Sequence, residues 1–359
     1  MPTSPAAPAP PLSDLCPAAL RRPVAAALRA LDPAPARLAV AVSGGADSAM
    51  LAVAAAAALP PGCALRLFHV HHGLQAAADQ WAAQVRDLGA LLGVAVDEAR
   101  VTVPPGQGLG MEAAARLARY QALAGLARRH GVRHILLAHH RNDQAETVLL
   151  RLLRGTGLQG MAAMAPFSER DGVAYLRPWL DVERAAILAL AGAVRAQCGW
   201  QAVQDPTNAD PRYARAAVRT QLAPVLDARW PGWQAIVARH ARQMAEAAEI
   251  VAEVARDDFD TLEPADAGRS FSLAAWRGLS AARQAQVLRH WLASQGAPMP
   301  TEARLAELRR QLRQLHALGH DRHLRWQHAG RVVRCERGRV WIDDQGAGAP
   351  ALRKFLPSR

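Results

Sequence analysis

A chain of 359 residues, 51% of them hydrophobic, is long enough for two domains with filled cores. Its four cysteines (Cys16, Cys63, Cys198, Cys335) are scattered, with no Cys-x-x-Cys pair, which argues against a disulfide framework or a zinc ribbon and fits a reducing cytoplasm. The net charge is +12, and from Pro264 onward 17 Arg/Lys stand against 7 Asp/Glu, a local +10 that suits a polyanion such as nucleic acid. Compositional bias explains why nearly every cation is arginine (Lys354 is the sole lysine), but it explains the local excess less well.

In chain order, residues 1–35 are Pro/Ala-rich without a basic start, and read as a disordered lead, not a signal peptide. Residues 38–42 form a short apolar run that reads as a buried strand. The Ala/Leu/Val stretch 48–59 reads as a helix, too short to span a membrane. Between them lies Ser43-Gly-Gly-Ala-Asp-Ser48. Strand, Ser/Gly turn and helix make an anion site. Gly44 and Gly45 admit close backbone approach, Ser43 and Ser48 offer hydroxyls, and the first N–H groups of the helix point at the anion. The loop lacks the lysine of a Walker motif and the third glycine of a dinucleotide fingerprint. Asp47 is out of place beside a bare phosphate, and its simplest use is to hold Mg²⁺ on a pyrophosphate. The plainer alternative is a tight glycine turn capped by Asp47.

Strand-like runs at 65–71, 94–101 and 134–138 alternate with helical patterns at 76–92, 111–130 and 142–154. The expected class is therefore α/β, a parallel sheet with helices on both faces and ligands at the carboxyl ends of its strands. A further strand at 175–179, a helix at 182–197 and a polar Pro-containing linker at 204–211 follow. Helical patterns then include a long one at 233–259. After a boundary at 263–268 come helices at 273–294 and 301–318. Three short basic strands, at 323–327, 331–335 and 339–342, are turned by Ala329-Gly330 and Arg337-Gly338. The domain reading is a lead (1–35), a catalytic domain (36–213), a helical linker region (214–262), a substrate domain (263–345) and a tail (346–359).

Two more motifs carry chemistry. In His139-His-Arg-Asn-Asp-Gln-Ala-Glu-Thr147, Asn142 can cap the helix, Asp143 and Glu146 share a face, and His139 can converge from the strand end. Two carboxylates and an imidazole could position Mg²⁺, a nucleophile, or both. An acidic first turn that only complements the helix dipole is the alternative. Arg151-Leu-Leu-Arg154-Gly155-Thr-Gly157-Leu-Gln-Gly160-Met161 follows, its glycines serving close approach to ATP or RNA, or simply ending the helix. In Glu112-Ala-Ala-Ala-Arg116-Leu-Ala-Arg119-Tyr120, Arg116 and Arg119 share a face suited to phosphate charge, although Glu112–Arg116 equally fits a surface pair.

These segments, joined by His69-Val-His-His72-Gly-Leu, Arg177-Pro-Trp-Leu, Asp205-Pro-Thr-Asn208 and Arg215…Arg219-Thr-Gln-Leu-Ala-Pro224, resemble in order and spacing the tRNA(Ile)-lysidine synthetase family of N-type ATP pyrophosphatases over residues 36–343. His71 stands where the family often has Asn, and Ala216 follows Arg215 where Asn is common. Larger members carry a further C-terminal domain, and the expectation here is a chain without it.

The resemblance implies a Rossmann-like pyrophosphatase domain followed by a mainly helical domain ending in basic strands. It implies a cytoplasmic ligase forming a carbon–nitrogen bond. The wobble cytidine C34 of tRNA(Ile) with a CAU anticodon is adenylated by ATP, pyrophosphate leaves, and free L-lysine displaces AMP to give lysidine. Codon specificity would change from AUG to AUA and amino-acid identity from Met to Ile. Ser43, Gly44, Gly45, Ala46, Asp47 and Ser48 would bind ATP, with Mg²⁺ on Asp47. Asp47, Arg119, His139, Asp143 and Glu146 would form the catalytic set. Arg215, Arg219, Arg325, Arg331, Arg334 and Arg339 would bind tRNA, in an enzyme that could be a homodimer. The rival readings are a tRNA thiolase, which generally needs paired cysteines, an amide-forming relative with a glutaminase partner, and a non-catalytic RNA-binding module.

Overall fold

The computed structural model describes residues 11–71, 78–102, 111–315 and 324–344. The chain divides into two units, residues 1–245 and 246–359.

The first unit is built on a six-stranded sheet in the order β3-β2-β1-β4-β6-β5. The strands are β1 (Arg37–Ala41), β2 (Ala64–His71), β3 (Ala95–Arg100), β4 (His134–Leu136), β5 (Phe167–Arg170) and β6 (Val173–Leu176). All neighbours pair in parallel except β5, which hairpins back on β6 through Asp171 and Gly172, both at positive φ. Two-residue turns of this kind match the twist of paired strands. The central β1 is buried on both faces, as parallel sheets require.

On one face, α1 (Ala18–Arg29), α2 (Ala46–Ala57) and α7 (Arg184–Cys198) pack Leu20, Val24, Met50, Leu51, Ile187 and Leu190 against the sheet. The alanine-rich α2 is buried almost all round, because side chains this small let neighbouring helices close in. On the other face, α4 (Met111–His130) packs Tyr120, Leu123 and Leu126 against Phe68, Ile135 and Tyr175. The remaining helices of this unit include α3 (Ala78–Leu92), α5 (Arg141–Leu153), the short α6 (Leu158–Met161), α8 (Ala214–Ala217) and α9 (Ala223–Arg229). Val218–Leu222, between α8 and α9, is a π-helical turn.

Three expectations are corrected. Residues 11–35 are not a disordered lead. Leu12, Cys16, Leu20, Val24 and Leu28 are core, and the Trp179 indole N–H donates to the Leu20 carbonyl at 3.0 Å. The strand expected at 175–179 starts earlier, at Val173, and Trp179 is a buried anchor beyond its end. The helix expected at 273–294 is two helices, α11 (Leu273–Gly278) and α12 (Ala281–Ser294). Leu279 is extended and Ser280 caps α12, while the Gln284 amide binds the free carbonyls of Arg277 and Leu279.

The division between the units falls within α10 (Trp233–Asp260). The second unit holds an antiparallel sheet in the order β7-β10-β9-β8: β7 (Ser270–Ser272), β8 (Leu324–His328), β9 (Arg331–Glu336) and β10 (Arg339–Asp344). The two expected hairpin turns are present, with Ala329, Gly330, Arg337 and Gly338 at positive φ. Strand alternation turns Leu324, Trp326, Val333, Val340 and Ile342 onto Trp276, Leu288, Trp291, Leu305 and Leu308 of α11, α12 and α13 (Glu302–Gln314). Among the described residues, no helix is long and apolar enough to cross a membrane.

Candidate active site

The loop after β1 is held open by its own hydroxyls. Ser48 Oγ accepts from the Ser43 N–H at 3.0 Å, lies 3.1 Å from Ser43 Oγ and donates to the Gly45 carbonyl at 3.1 Å. Gly44 has φ +92°, and a Cβ there would sit 3.1 Å from the Val203 side chain. Gly45 is the N-cap of α2 and brings no side-chain cap, so the first N–H groups of a twelve-residue helix are presented without a side-chain acceptor at the cap.

Beside this loop, at the carboxyl ends of β1 and β2, lies a cavity of about 350 Å³ whose lining includes Ser43, Gly45, His69, Arg119, Asp205 and Asn208. His69 is buried, and burial holds its imidazole below the usual histidine range against the pull of its contact with Val42. It is therefore neutral, and its Nδ1 meets the Val42 carbonyl oxygen at 2.8 Å. Arg119 enters from α4 and has no carboxylate partner among the described residues.

On the other side of the loop three carboxylates converge. Asp47, in the first turn of α2, places Oδ1 3.7 Å from His140 Nε2 and 3.4 Å from Arg184 Nε. Burial alone would raise its pKa, but His140 and Arg184 outweigh burial and hold it below the usual range. His140, not Asn142, is the N-cap of α5. Its Nδ1 accepts from the Asp143 N–H at 3.4 Å, and its own N–H donates to Asp143 Oδ2 at 3.1 Å, a reciprocal capping box. One imidazole thus links Asp47 to Asp143.

His139, the histidine expected to converge here, makes no such contact. It is half-buried, its Nδ1 is enclosed without a hydrogen-bond partner, and burial pushes its pKa down to about 3 despite Asp143.

Asp143 and Glu146 do share a face, and both are buried. Arg215 and Arg219, expected on RNA, lie on these carboxylates. Arg219 Nε is 2.6 Å from Glu146 Oε1 and its Nη2 is 2.9 Å from Asp143 Oδ1. Arg215 Nη2 donates to Thr147 Oγ1 at 3.0 Å, with its guanidinium 3.6 Å from both carboxylates. The two arginines are four residues apart, leading into and inside the π-helical turn, so they project together.

Asp143 is held low, because His140 and the two arginines outweigh its burial. Glu146 goes the other way. Burial raises it more than Arg219 lowers it, and its Oε2 has no hydrogen-bond donor.

In the second unit, Arg325 is exposed and faces Arg334 across the β8–β9 ladder, while Arg334 leans toward Asp343 at 3.6 Å. Arg339 is spent on the Glu263 carbonyl and Ser270 Oγ, and Arg331 also has a partner. Two site residues escaped the sequence reading, His140 as a cap and Arg184 as a partner of Asp47. The doubled histidine was a signal for the first. Nothing local signals the second, since 137 residues separate the pair.

A mostly parallel sheet whose first strand runs into Ser-Gly-Gly-x-Asp-Ser, with a helix start free of a side-chain cap beside a cavity, is the architecture of a PP-loop ATP pyrophosphatase. Residues 20–226 match the PP-loop domain model, and residues 271–341 match the TilS substrate binding domain. A tRNA(Ile)-lysidine synthase of Bordetella bronchiseptica is 96% identical over 344 residues, covering 96% of this chain and 100% of that protein. One of Ralstonia nicotianae is 43% identical over 334 residues, covering 90% of this chain and 69% of that protein. Among solved structures, the U34-tRNA thiolase NcsA from Methanococcus maripaludis shares the fold, with TM-score 0.52 and 16% identity over 63% of this chain and 78% of that one. The chain belongs to the tRNA(Ile)-lysidine synthase family.

Proposed function

We propose that this chain joins free L-lysine to C2 of the wobble cytidine of tRNA(Ile) with a CAU anticodon, acting in the cytoplasm with ATP and Mg²⁺. The observation that carries the reading is that His140 links Asp47 of the Ser43–Ser48 loop to Asp143, and Arg219 links Asp143 to Glu146.

The reaction needs two centres, one for a triphosphate and one for an amine. The loop N–H groups and the Ser43 and Ser48 hydroxyls would hold the pyrophosphate end of ATP, with the nucleoside in the adjoining cavity. Arg119, unpaired among the described residues, would meet charge on the α-phosphate or on the adenylated base. Asp47 fits Mg²⁺ by its chemistry: the ion takes one or two carboxylates and draws its other ligands from phosphates and water. When bound, it would neutralise charge on the leaving pyrophosphate.

The C2 oxygen of C34 attacks the α-phosphorus and pyrophosphate departs. The ε-amine of lysine then attacks C2 and AMP leaves with the oxygen. Lysine arrives as an ammonium and must lose a proton first. Asp143 and Glu146 would bind that ammonium. Glu146, raised by burial and with an Oε2 that accepts no hydrogen bond and has only Arg215 at 3.6 Å, is the better proton acceptor. His139, with a pKa of about 3, is a poor base and serves instead as a neutral wall beside Asp143.

Arg325, Arg331 and Arg334 of β8 and β9 would contact tRNA phosphates, and a homodimer belongs to the same proposal. The thiolase alternative finds no paired cysteines. Cys16, Cys63 and Cys335 are buried in the two cores, and no cysteine lines the cavity.

The test is transfer of radiolabelled lysine to an isoleucine tRNA transcript with a CAU anticodon. The expected result is ATP-dependent label at C34 with AMP and pyrophosphate released. Pyrophosphate release without label would point to another nucleophile and overturn the reading.

A further inference from the structure

The motif Arg151–Met161 has a use beyond ending α5. Arg151 turns inward and its Nη1 donates to the carbonyls of Gly160 and Ala163 at 2.7 and 2.8 Å. The Gln144 side chain and the Met164 backbone bond reciprocally at 2.8 and 3.0 Å. Gly160 is packed so closely on Thr156 that a Cβ would lie 2.5 Å from the threonine Cβ. The loop is thus a fixed platform. Against it the helix ends in Leu152 and Leu153, 57% and 75% exposed, followed by the exposed Arg154.

The direction of that tip is set by helix geometry. Leu153 is seven residues after Glu146 and Arg154 eleven after Asp143, so both fall on the carboxylate face of α5. At about 1.5 Å per residue, the tip lies about 10 Å beyond Glu146 along the helix. Neither Arg151 nor Arg154 has a carboxylate partner among the described residues, and Arg116 stands near enough to Arg151 to depress its pKa further. An apolar tip bearing the exposed Arg154 guanidinium and continuous with the carboxylate face suits a nucleobase and its phosphate.

We propose that Leu153, flanked by Leu152, is a wedge that packs against the nucleotide next to C34, with Arg154 on its phosphate, so that C34 leaves the anticodon stack and reaches the α-phosphate. The need is chemical. A stacked cytidine cannot present O2 in line with a phosphorus, and enzymes that act on bases extrude them, some with an apolar side chain inserted between base steps. Leu153 and Arg154 act on C34 through its neighbour and are positioning residues. The inference rests on the lysine-transfer reading.

The experiment uses the full chain with Leu152→Ser/Leu153→Ser and, separately, Arg154→Ala. KM and kcat are measured for the tRNA transcript, together with the fluorescence of an anticodon stem-loop carrying 2-aminopurine beside C34. Expected are a rise in KM for tRNA of about tenfold or more for the leucine pair, unchanged KM for ATP and lysine, and loss of the fluorescence increase that wild type produces on binding. Both leucines are exposed, so folding is preserved. Wild type that transfers lysine while the variants keep its tRNA KM and fluorescence would overturn the wedge. So would variants that change only the sedimentation of the free protein, because the leucines would then face a second copy. Wild type that transfers no lysine sinks the underlying reading instead.

Discussion

Arg219 holds Glu146 at 2.6 Å through Nε and, with the other arm of the same guanidinium, reaches Asp143 at 2.9 Å. Two buried carboxylates three residues apart repel, and this fork makes their proximity tolerable. Arg219→Ala is expected to cost about 3 kcal/mol in urea unfolding, since it leaves the two buried carboxylates only the looser contacts of Arg215 at 3.6 Å and of His140 beside Asp143. Arg219→Lys keeps the charge but not the fork and should recover only part of that. Adding Glu146→Gln to Arg219→Ala should restore stability but not lysine transfer. A double variant as unstable as the single would show that the fork is not what holds this helix pair.

Asp47→Asn should leave the fold intact and lower ATP–pyrophosphate exchange by on the order of 100-fold or more, the scale of losing one preorganised charge-stabilising group. Unchanged exchange at saturating Mg²⁺ would remove Asp47 from the site.

Gly44→Ala places a Cβ where φ is +92° and Val203 is 3.1 Å away. The expected cost is about 1–2 kcal/mol of strain. KM for ATP should rise while the tRNA dissociation constant stays put, as equilibrium binding and steady-state kinetics would read out separately.

Acid should destabilise the first unit in two windows. His69 and His139 are held below their ordinary values, so the unfolded chain binds more protons than the folded one, and stability falls as pH drops through and below about 6.5. Asp47 and Asp143 are also lowered, and their contribution is lost at lower pH, below about 4. Glu146 is raised, so its share has the opposite sign: it is fully present below the unfolded carboxylate value and is lost as pH rises through the folded one. Melting temperatures at pH 7.5 and 5.0 measure the first window, and His139→Asn should flatten it. A melting temperature insensitive to that interval would contradict the burial assigned to both histidines.

tRNA affinity should fall linearly with log salt. Arg325→Ala and Arg334→Ala should each reduce the slope by about 1, whereas Arg339→Ala, already engaged with Glu263 and Ser270, should chiefly lower stability. Equal slopes in all three variants would exclude the strand face as a phosphate contact.

The local chain alone carried the order of elements, the phosphate loop and the shared face of Asp143 and Glu146. Each depends on short-range rules: hydrophobic period, glycine freedom at a turn, and the three-residue repeat of a helix. Residues 11–35, which contain α1, read as a disordered lead because alanine and proline dilute the apolar positions Leu12, Leu20, Val24 and Leu28. What required tertiary structure was every choice of partner. Nothing in Arg215 or Arg219 distinguishes them from a phosphate-binding arginine until the π-helical turn brings them onto α5, more than sixty residues earlier in the chain. Nor could the doubled histidine decide which ring caps the helix. Packing put His140 between Asp47 and Asp143 and left His139 half-buried in a desolvated wall. Sequence fixes which groups are available, but charge compensation in a buried site is decided by which groups the fold brings within reach of one another, because desolvation penalises any carboxylate left without a partner.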